Sequence, residues 1–269
     1  MSEFQKIQFN IPEGRHIFFA SDFHLGALGK ADETRKEKAV VDWLKTVQSK
    51  AAAVFLVGDV FDYWFEYKYV VPRGTVRLFG KLAALSDAGI PIYYFTGNHD
   101  MWTRDYFTEE FNAVVSRDPI SFTFHSNMGS KTILVGHGDG LGPGDHTYKI
   151  LKILFESKLA RFLYRQVHPD LANRVAYAWS RHSRAANNQK AEDVFKGEEG
   201  EWLYQYCLQI EKQAPHDYYI FGHRHLALDL QVGPHSRYIN LGEWFSPQSR
   251  FPYAEFDGET CELKYFRQS

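Results

Sequence analysis

The sequence predicts an α/β protein in which two mixed β-sheets pack face to face, flanked by helices and interrupted by a helical insertion. Three observations carry that expectation. Five short apolar runs, too short for helices, each stop at polar or glycine residues. Helical patterns separate the first three runs, the signature of βαβ units and neighbouring parallel strands. Beyond residue 225 the chain alternates short apolar runs with turns, which reads as antiparallel strands completing a second sheet.

In order, the five runs are His16 to Ser21, Ala53 to Val57, Ile92 to Thr96, Thr132 to Val135 and Tyr218 to Phe221. Their enrichment in Phe, Tyr, Val and Ile suits strands buried on both faces. Helices are expected over Asp32 to Gln48 and Gly74 to Ala88. The later strands are expected at Leu226 to Val232, Arg237 to Leu241, Ala254 to Phe256 and Glu262 to Phe266. At 269 residues the chain can bury a full core.

The continuations of the five runs bear the chemistry. They read Asp22-Phe23-His24, Gly58-Asp59, Gly97-Asn98-His99-Asp100, Gly136-His137-Gly138-Asp139 and Gly222-His223-Arg224-His225. Each alone is weak, because Asp-x-His and Gly-Asp are ordinary turn sequences. Two His at i and i+2 of an extended segment are better, since they point to one side. All five together, each after a strand, outweigh the reading as turns. Strand ends of such a sheet converge, so these residues can meet in one site. His125 and His146 lie in polar turns, and His16 and His168 sit at element boundaries; none of the four is expected to bind metal.

Composition excludes several alternatives. The formal charge of −2 gives no whole-chain bias towards nucleic acid or anionic lipid. Cys207 and Cys261 match no metal or redox spacing, so a reducing, cytoplasmic location is expected. No apolar run approaches the roughly 18 residues of a spanning helix. There is neither a Gly-x-Ser-x-Gly elbow nor a Walker-type loop. Asp, Asn and His without thiolate suit two octahedral divalent ions, Mn²⁺ or Fe²⁺ first, with Zn²⁺ compatible. Such a pair would activate a water as the hydroxide nucleophile.

These motifs resemble the signature of the calcineurin-like metallophosphoesterase superfamily, D-x-H, G-D, G-N-H-D/E, a lone H and G-H-x-H. The resemblance spans Asp22 to His225 and implies the metallophosphoesterase sandwich. By it, one metal takes Asp22, His24, Asp59 and His225, and the other takes Asp59, Asn98, His137 and His223. Asp59 bridges both, and His99 stabilises the phosphoryl oxygens or protonates the leaving group. Asp62 and Asp100 are expected to orient ligand imidazoles.

A closer resemblance is to the UDP-2,3-diacylglucosamine hydrolase family of lipid A biosynthesis, carried by GHGDGLGPGDHTYK, by SRHSRAANNQK and by Gly58-Asp59-Val60-Phe61-Asp62-Tyr63-Trp64. It implies a catalytic domain over 1–146 and 214–269 and a helical cap over 147–213. Asp145, Tyr148, Arg181, Ser183, Asn187 and Lys190 match positions that contact substrate in that family. The implied reaction is Mn-dependent cleavage of the lipid-linked UDP-sugar to UMP and 2,3-diacylglucosamine 1-phosphate. Where some members of that family carry Arg, this chain has His99. From Thr147 to Lys190 there are nine Lys or Arg against two acids. Ile150, Leu151, Leu154, Leu159, Phe162, Leu163 and Val167 form an apolar stripe at helical spacing. Such a helix suits lipid chains and peripheral contact with the cytoplasmic face of the inner membrane, with no nucleic acid partner expected. The alternative is a phosphodiesterase of this superfamily acting on nucleotides or nucleic acid.

Overall fold

The computed structural model describes residues 4–27, 30–143, 149, 152–153, 155–178, 194–195, 197–244 and 250–268. Its strands are β1 (Gln5–Asn10), β2 (His16–Ala20), β3 (Ala51–Val57), β4 (Ile92–Phe95), β5 (Val114–Ser116), β6 (Ile120–Ser126), β7 (Gly129–Gly136), β8 (Tyr218–Phe221), β9 (Ala227–Gln231), β10 (Arg237–Leu241), β11 (Phe251–Phe256) and β12 (Cys261–Phe266). One sheet runs β12-β11-β2-β3-β4-β5, the other β1-β6-β7-β8-β10-β9. Helices α1 (Lys30–Gln48) and α2 (Val76–Asp87) are the crossovers that make β2, β3 and β4 parallel.

Alternation along the strands divides the core into layers. Ile17 and Phe19 of β2, with Phe55 and Val57 of β3, face Phe122, Ile133, Val135 and Ile220 of the opposite sheet. Their neighbours Phe18, Ala20, Val54 and Leu56 point the other way, onto Val40, Trp43 and Leu44 of α1 and Leu78, Leu82 and Leu85 of α2. A third cluster lies outside the second sheet, where Leu203, Tyr204, Cys207 and Ile210 cover Tyr219, Phe221 and Tyr238.

The C-terminal strands depart from the expected pattern. β10 pairs parallel with β8 and antiparallel with β9, whereas β11 and β12 extend the first sheet through β2. The chain passes from one sheet to the other between β10 and β11, so the last hairpin closes the βαβ half instead of the second sheet. Hydrophobic alternation specifies which face of a strand is buried, not which sheet it joins.

Helix α3 (Tyr106–Phe111) precedes the insertion, and helix α4 (Lys158–Arg165) belongs to it, followed by helical residues 169–178. Ser157 caps α4, accepting from Ala160 N. Aromatic residues hold α4 against the catalytic loops: the Tyr63 and Tyr164 hydroxyls lie 2.9 Å apart, Trp102 stacks on Tyr164, and Trp102 Nε1 donates to Phe155 O. Leu159, Phe162 and Leu163 are left exposed. Helix α5 (Trp202–Glu211), inside the expected insertion, packs on the second sheet.

Candidate metal centre

Both sheets deliver donors to one edge. Beyond β2 and β3 the two chains stay paired, with Asp22 N donating to Gly58 O, His24 N to Asp59 O and Leu25 N to Val60 O. Two further bonds cross-link the loops through carboxylates: His99 N donates to Asp59 Oδ1 at 2.9 Å and His223 N to Asp22 Oδ2 at 3.0 Å. Gly222 N donates to His137 O and ties β8 to β7. Glycine is required at three of these turns because the donors crowd the backbone. A Cβ at Gly58 would stand 2.4 Å from His137 Nδ1, one at Gly97 2.2 Å from Asp59 Oδ1, and one at Gly222 2.5 Å from Asp22 Oδ2.

Three overlapping groups result, in each of which the donor atoms lie within 4.8 Å of one another: Asp22, His24 and His225; His24, Asp59 and His99; and Asp59, His137 and His223. Asp59 lies in two of them. Its Oδ2 is 3.3 Å from His137 Nε2 and 3.9 Å from His24 Nε2. His225 Nε2 sits 3.3 Å from Asp22 Oδ1 and 3.1 Å from His24 Nε2. Asp22, His24, Asp59 and His137 are buried.

The set fits divalent cations. Asn98 Oδ1 is buried without a hydrogen-bond partner among the described residues, a costly state for a polar atom unless it coordinates an ion, while Asp22 Oδ1 and His137 Nε2 each have an ion-pair neighbour at 3.3 Å. Imidazole orientation is also set from outside, since His137 Nδ1 lies 2.9 Å from the Val57 carbonyl and must donate to it. Electrostatics agree for the shared carboxylate and for two of the imidazoles. Burial alone would raise the Asp59 carboxyl, but His137, His99 and His24 hold it below its ordinary range. Burial lowers His24 to about 3 and His223 to about 4, favouring the neutral, ligating form. His137 goes the other way, to about 10, because Asp59 outweighs its burial.

Five of the donors, Asp22, His24, Asp59, His223 and His225, have φ between 45° and 68°. This left-handed conformation costs a non-glycine residue roughly 1–2 kcal/mol. Only two other non-glycine residues among those described, Thr75 and Asn112, share it.

Asp62 and Asp100 behave differently from each other. Asp62 Oδ1 is 3.8 Å from Nδ1 of both His24 and His99. Asp100, expected to orient an imidazole, instead accepts from Val60 N, Tyr94 Oη and Gly97 N. It braces the Asp59 turn against the Asn98 turn, because its position after the strand points it beneath the loop. His99 Nδ1 donates to the Asp62 carbonyl at 2.7 Å. His16 pairs with Glu255 and His125 with Ser130 and Gln8, away from the donors.

Sequence reasoning missed Arg117, which donates to Thr96 O at 2.9 Å and to both oxygens of Asp139. It joins the loop carrying Asn98 to the loop carrying His137. Lys152 reaches the same Asp139 at 3.5 Å from the insertion. No local motif marks Arg117. Asp145, Tyr148, Arg181, Ser183, Asn187 and Lys190, with His146, Ile150, Leu151 and Leu154, lie outside the described residues.

Residues 15–227 match the calcineurin-like phosphoesterase family. The chain belongs to that family, and is a metal-dependent phosphoesterase with a site for divalent ions. Within it, the chain is 38% identical over 260 residues to UDP-2,3-diacylglucosamine hydrolase of Porphyromonas gingivalis, covering 92% of this chain and 96% of that protein. Proteins of the same name from Pseudomonas fluorescens Pf0-1 and Chromohalobacter salexigens are 26% identical over 233 residues and 30% over 178. They cover 85% and 65% of this chain, and 88% and 67% of the respective proteins.

Proposed function

We propose that this chain hydrolyses the pyrophosphate bond of UDP-2,3-diacylglucosamine to UMP and 2,3-diacylglucosamine 1-phosphate, with two Mn²⁺ ions as resident cofactors. The observation that carries the reading is the convergence of Asp22, His24, Asp59, His99, His137, His223 and His225 in three overlapping donor groups, in a chain related nearly end to end to a hydrolase of that name.

Asp22, His24, Asp59 and His225 would hold one ion, and Asp59, Asn98, His137 and His223 the other. When bound, such a pair supplies Lewis acidity, an acidified water and charge neutralisation for in-line displacement at phosphorus. The rest falls to the chain. The His99 Nδ1 proton is committed to the Asp62 carbonyl, so Nε2 is the nitrogen that contacts a phosphoryl oxygen or passes a proton to the departing one. The Asp59 backbone turn, pinned by Asp100 and by His99 N, keeps the shared carboxylate in place while charge shifts around it.

The insertion 147–213 would supply the cap, apart from α5, which lies on the second sheet, with Asp145, Tyr148, Arg181, Ser183, Asn187 and Lys190 contacting the nucleotide. The exposed Leu159, Phe162 and Leu163 on a helix bearing Lys158, Arg161 and Arg165 suit lipid chains and peripheral contact with an anionic, cytoplasmic membrane face. No helix among the described residues is long and apolar enough to cross a membrane. The test compares purified protein with Mn²⁺ on UDP-2,3-diacylglucosamine, unacylated nucleotide diesters and single-stranded nucleic acid. UMP release from the acylated substrate at a kcat/KM far above the others is expected. Turnover confined to the unacylated diesters or nucleic acid would replace the reading with a nucleotide phosphodiesterase.

A further inference from the structure

Between the two candidate ligands His223 and His225, Arg224 points away from the site and is buried, at 5% exposure. Its Nε donates to both carboxylate oxygens of Glu201, at 3.0 and 3.1 Å. The guanidinium carbon lies 4.1 Å from the centre of the Trp202 ring. Glu201 is itself 1% exposed and stands at the N-terminal boundary of α5. The same turn of α5 also supports the loop after His137. A Cβ at Gly138 would meet Leu203 at 2.8 Å, and one at Gly142 would meet the Trp202 carbonyl at 2.4 Å. One turn of helix therefore underlies three of the imidazoles.

Stability alone does not account for this pair. Desolvating two charges offsets most of their attraction, and buried ion pairs seldom add net stability over apolar residues of similar size. Geometry supplies a better reason. His223 and His225 both sit in left-handed backbone, from which a non-glycine segment relaxes unless held. Arg224 N donates to Gly222 O, a bond that closes only a short turn and does not set the direction of the two rings. A planar guanidinium gripped on its Nε edge and stacked on its face has little rotational freedom left. Fixing residue 224 restrains the backbone from which His223 and His225 project. Glu201 also offsets a positive charge beside a cation site.

We infer that Arg224, clamped by Glu201 and Trp202, is a positioning residue that holds the His223–His225 segment in metal-binding geometry and so sets metal affinity. The inference rests on the metal-centre reading above. The experiment uses the full chain, stripped with a chelator and titrated with Mn²⁺ by calorimetry, alongside metal content after gel filtration and Tm without metal. Glu201→Gln and the double replacement Glu201→Met with Arg224→Met are expected to bind Mn²⁺ at least about tenfold more weakly, the usual effect of removing groups that orient ligands. On substrate, kcat should fall while KM stays within about twofold, since neither residue is expected to touch substrate. Arg224→Lys, which keeps charge but not the fork and stack, should lie between these and wild type. If Glu201→Gln fails to fold, the double replacement, which strands no charge, carries the same expectation. Wild-type affinity in any folded Glu201→Gln or double variant overturns the inference. A wild-type protein that binds no divalent ion overturns instead the metal centre on which it rests.

Discussion

Replacing Gly97 by Ala adds one methyl group at the narrowest point of the site. Its Cβ would stand 2.2 Å from Asp59 Oδ1 and 2.6 Å from His137 Nε2. Ordinary contact begins at 3.4 Å, so something must retreat by about 1 Å. Neither neighbour is free to do so: Asp59 Oδ1 accepts from His99 N, and His137 Nδ1 is tied to Val57 O. Backbone strain does not enter, because φ at Gly97 is outside the left-handed region. Overpacking of this kind costs roughly 1–3 kcal/mol, which lowers Tm by several degrees in a chain of this size. A displacement of about 1 Å at reacting groups costs roughly 100-fold in rate. Activity should therefore fall far more than stability. The assay is kcat and Mn²⁺ stoichiometry against Tm, with Gly80→Ala as the matched control. Gly80 lies on the exposed side of α2 with nothing within 4 Å, so the same methyl there should stabilise by about 0.5–1 kcal/mol and leave kcat unchanged. A Gly97→Ala protein with wild-type kcat and two bound ions would refute the steric argument and the donor geometry with it.

Asp59→Asn is expected to cut hydrolysis at least roughly 100-fold while circular dichroism shows a folded chain, because the shared carboxylate loses its charge but not its shape. Full activity would sink the two-ion model. Phe162→Ser with Leu163→Ser should weaken co-sedimentation with anionic vesicles about tenfold without moving Tm, both side chains being more than half exposed in solution; unchanged binding would place membrane contact elsewhere. Asp217 supplies a pH test. Burial alone would raise its carboxyl, but bonds from Thr132 N, Lys131 and the Thr132 hydroxyl hold it below the ordinary value. A depressed folded-state pKa gives stability that is present above the unfolded value and is lost as pH falls through the folded one. Asp217→Asn should cost roughly 1–2 kcal/mol at neutral pH and flatten the acid limb of Tm against pH, whereas parallel limbs would deny the role.

The strand ends were legible because each motif is local: a buried apolar run, a glycine and a donor stand within a few residues of one another. Convergence of the donors followed from parallel βαβ geometry. Other features depend on pairs distant in sequence. The hairpin of β11 and β12 has the alternation of any half-buried pair, and only its bonds to β2 assign it to the first sheet. Arg117 serves Thr96 and Asp139, each about twenty residues away, and looks like any surface arginine in the sequence. Asp100 sits in a ligand motif yet spends both oxygens on backbone and tyrosine, a choice made by the direction of its side chain. The apolar stripe of α4 was visible as periodicity, but whether it is covered depends on what packs there. Its exposed Leu159, Phe162 and Leu163 show that the catalytic domain does not cover them.

The five left-handed donors imply a conflict between durability and chemistry. Selection of this chain for heat resistance in a chelator, with no demand for turnover, should favour glycine or apolar replacements at Asp22, His24, Asp59, His223 and His225, since each relieves torsional cost or buried polarity. Selection with metal present should hold them, because coordination then repays both. Thermal tolerance and catalysis would thus draw on the same few positions in opposite directions, and metal supply would decide which prevails.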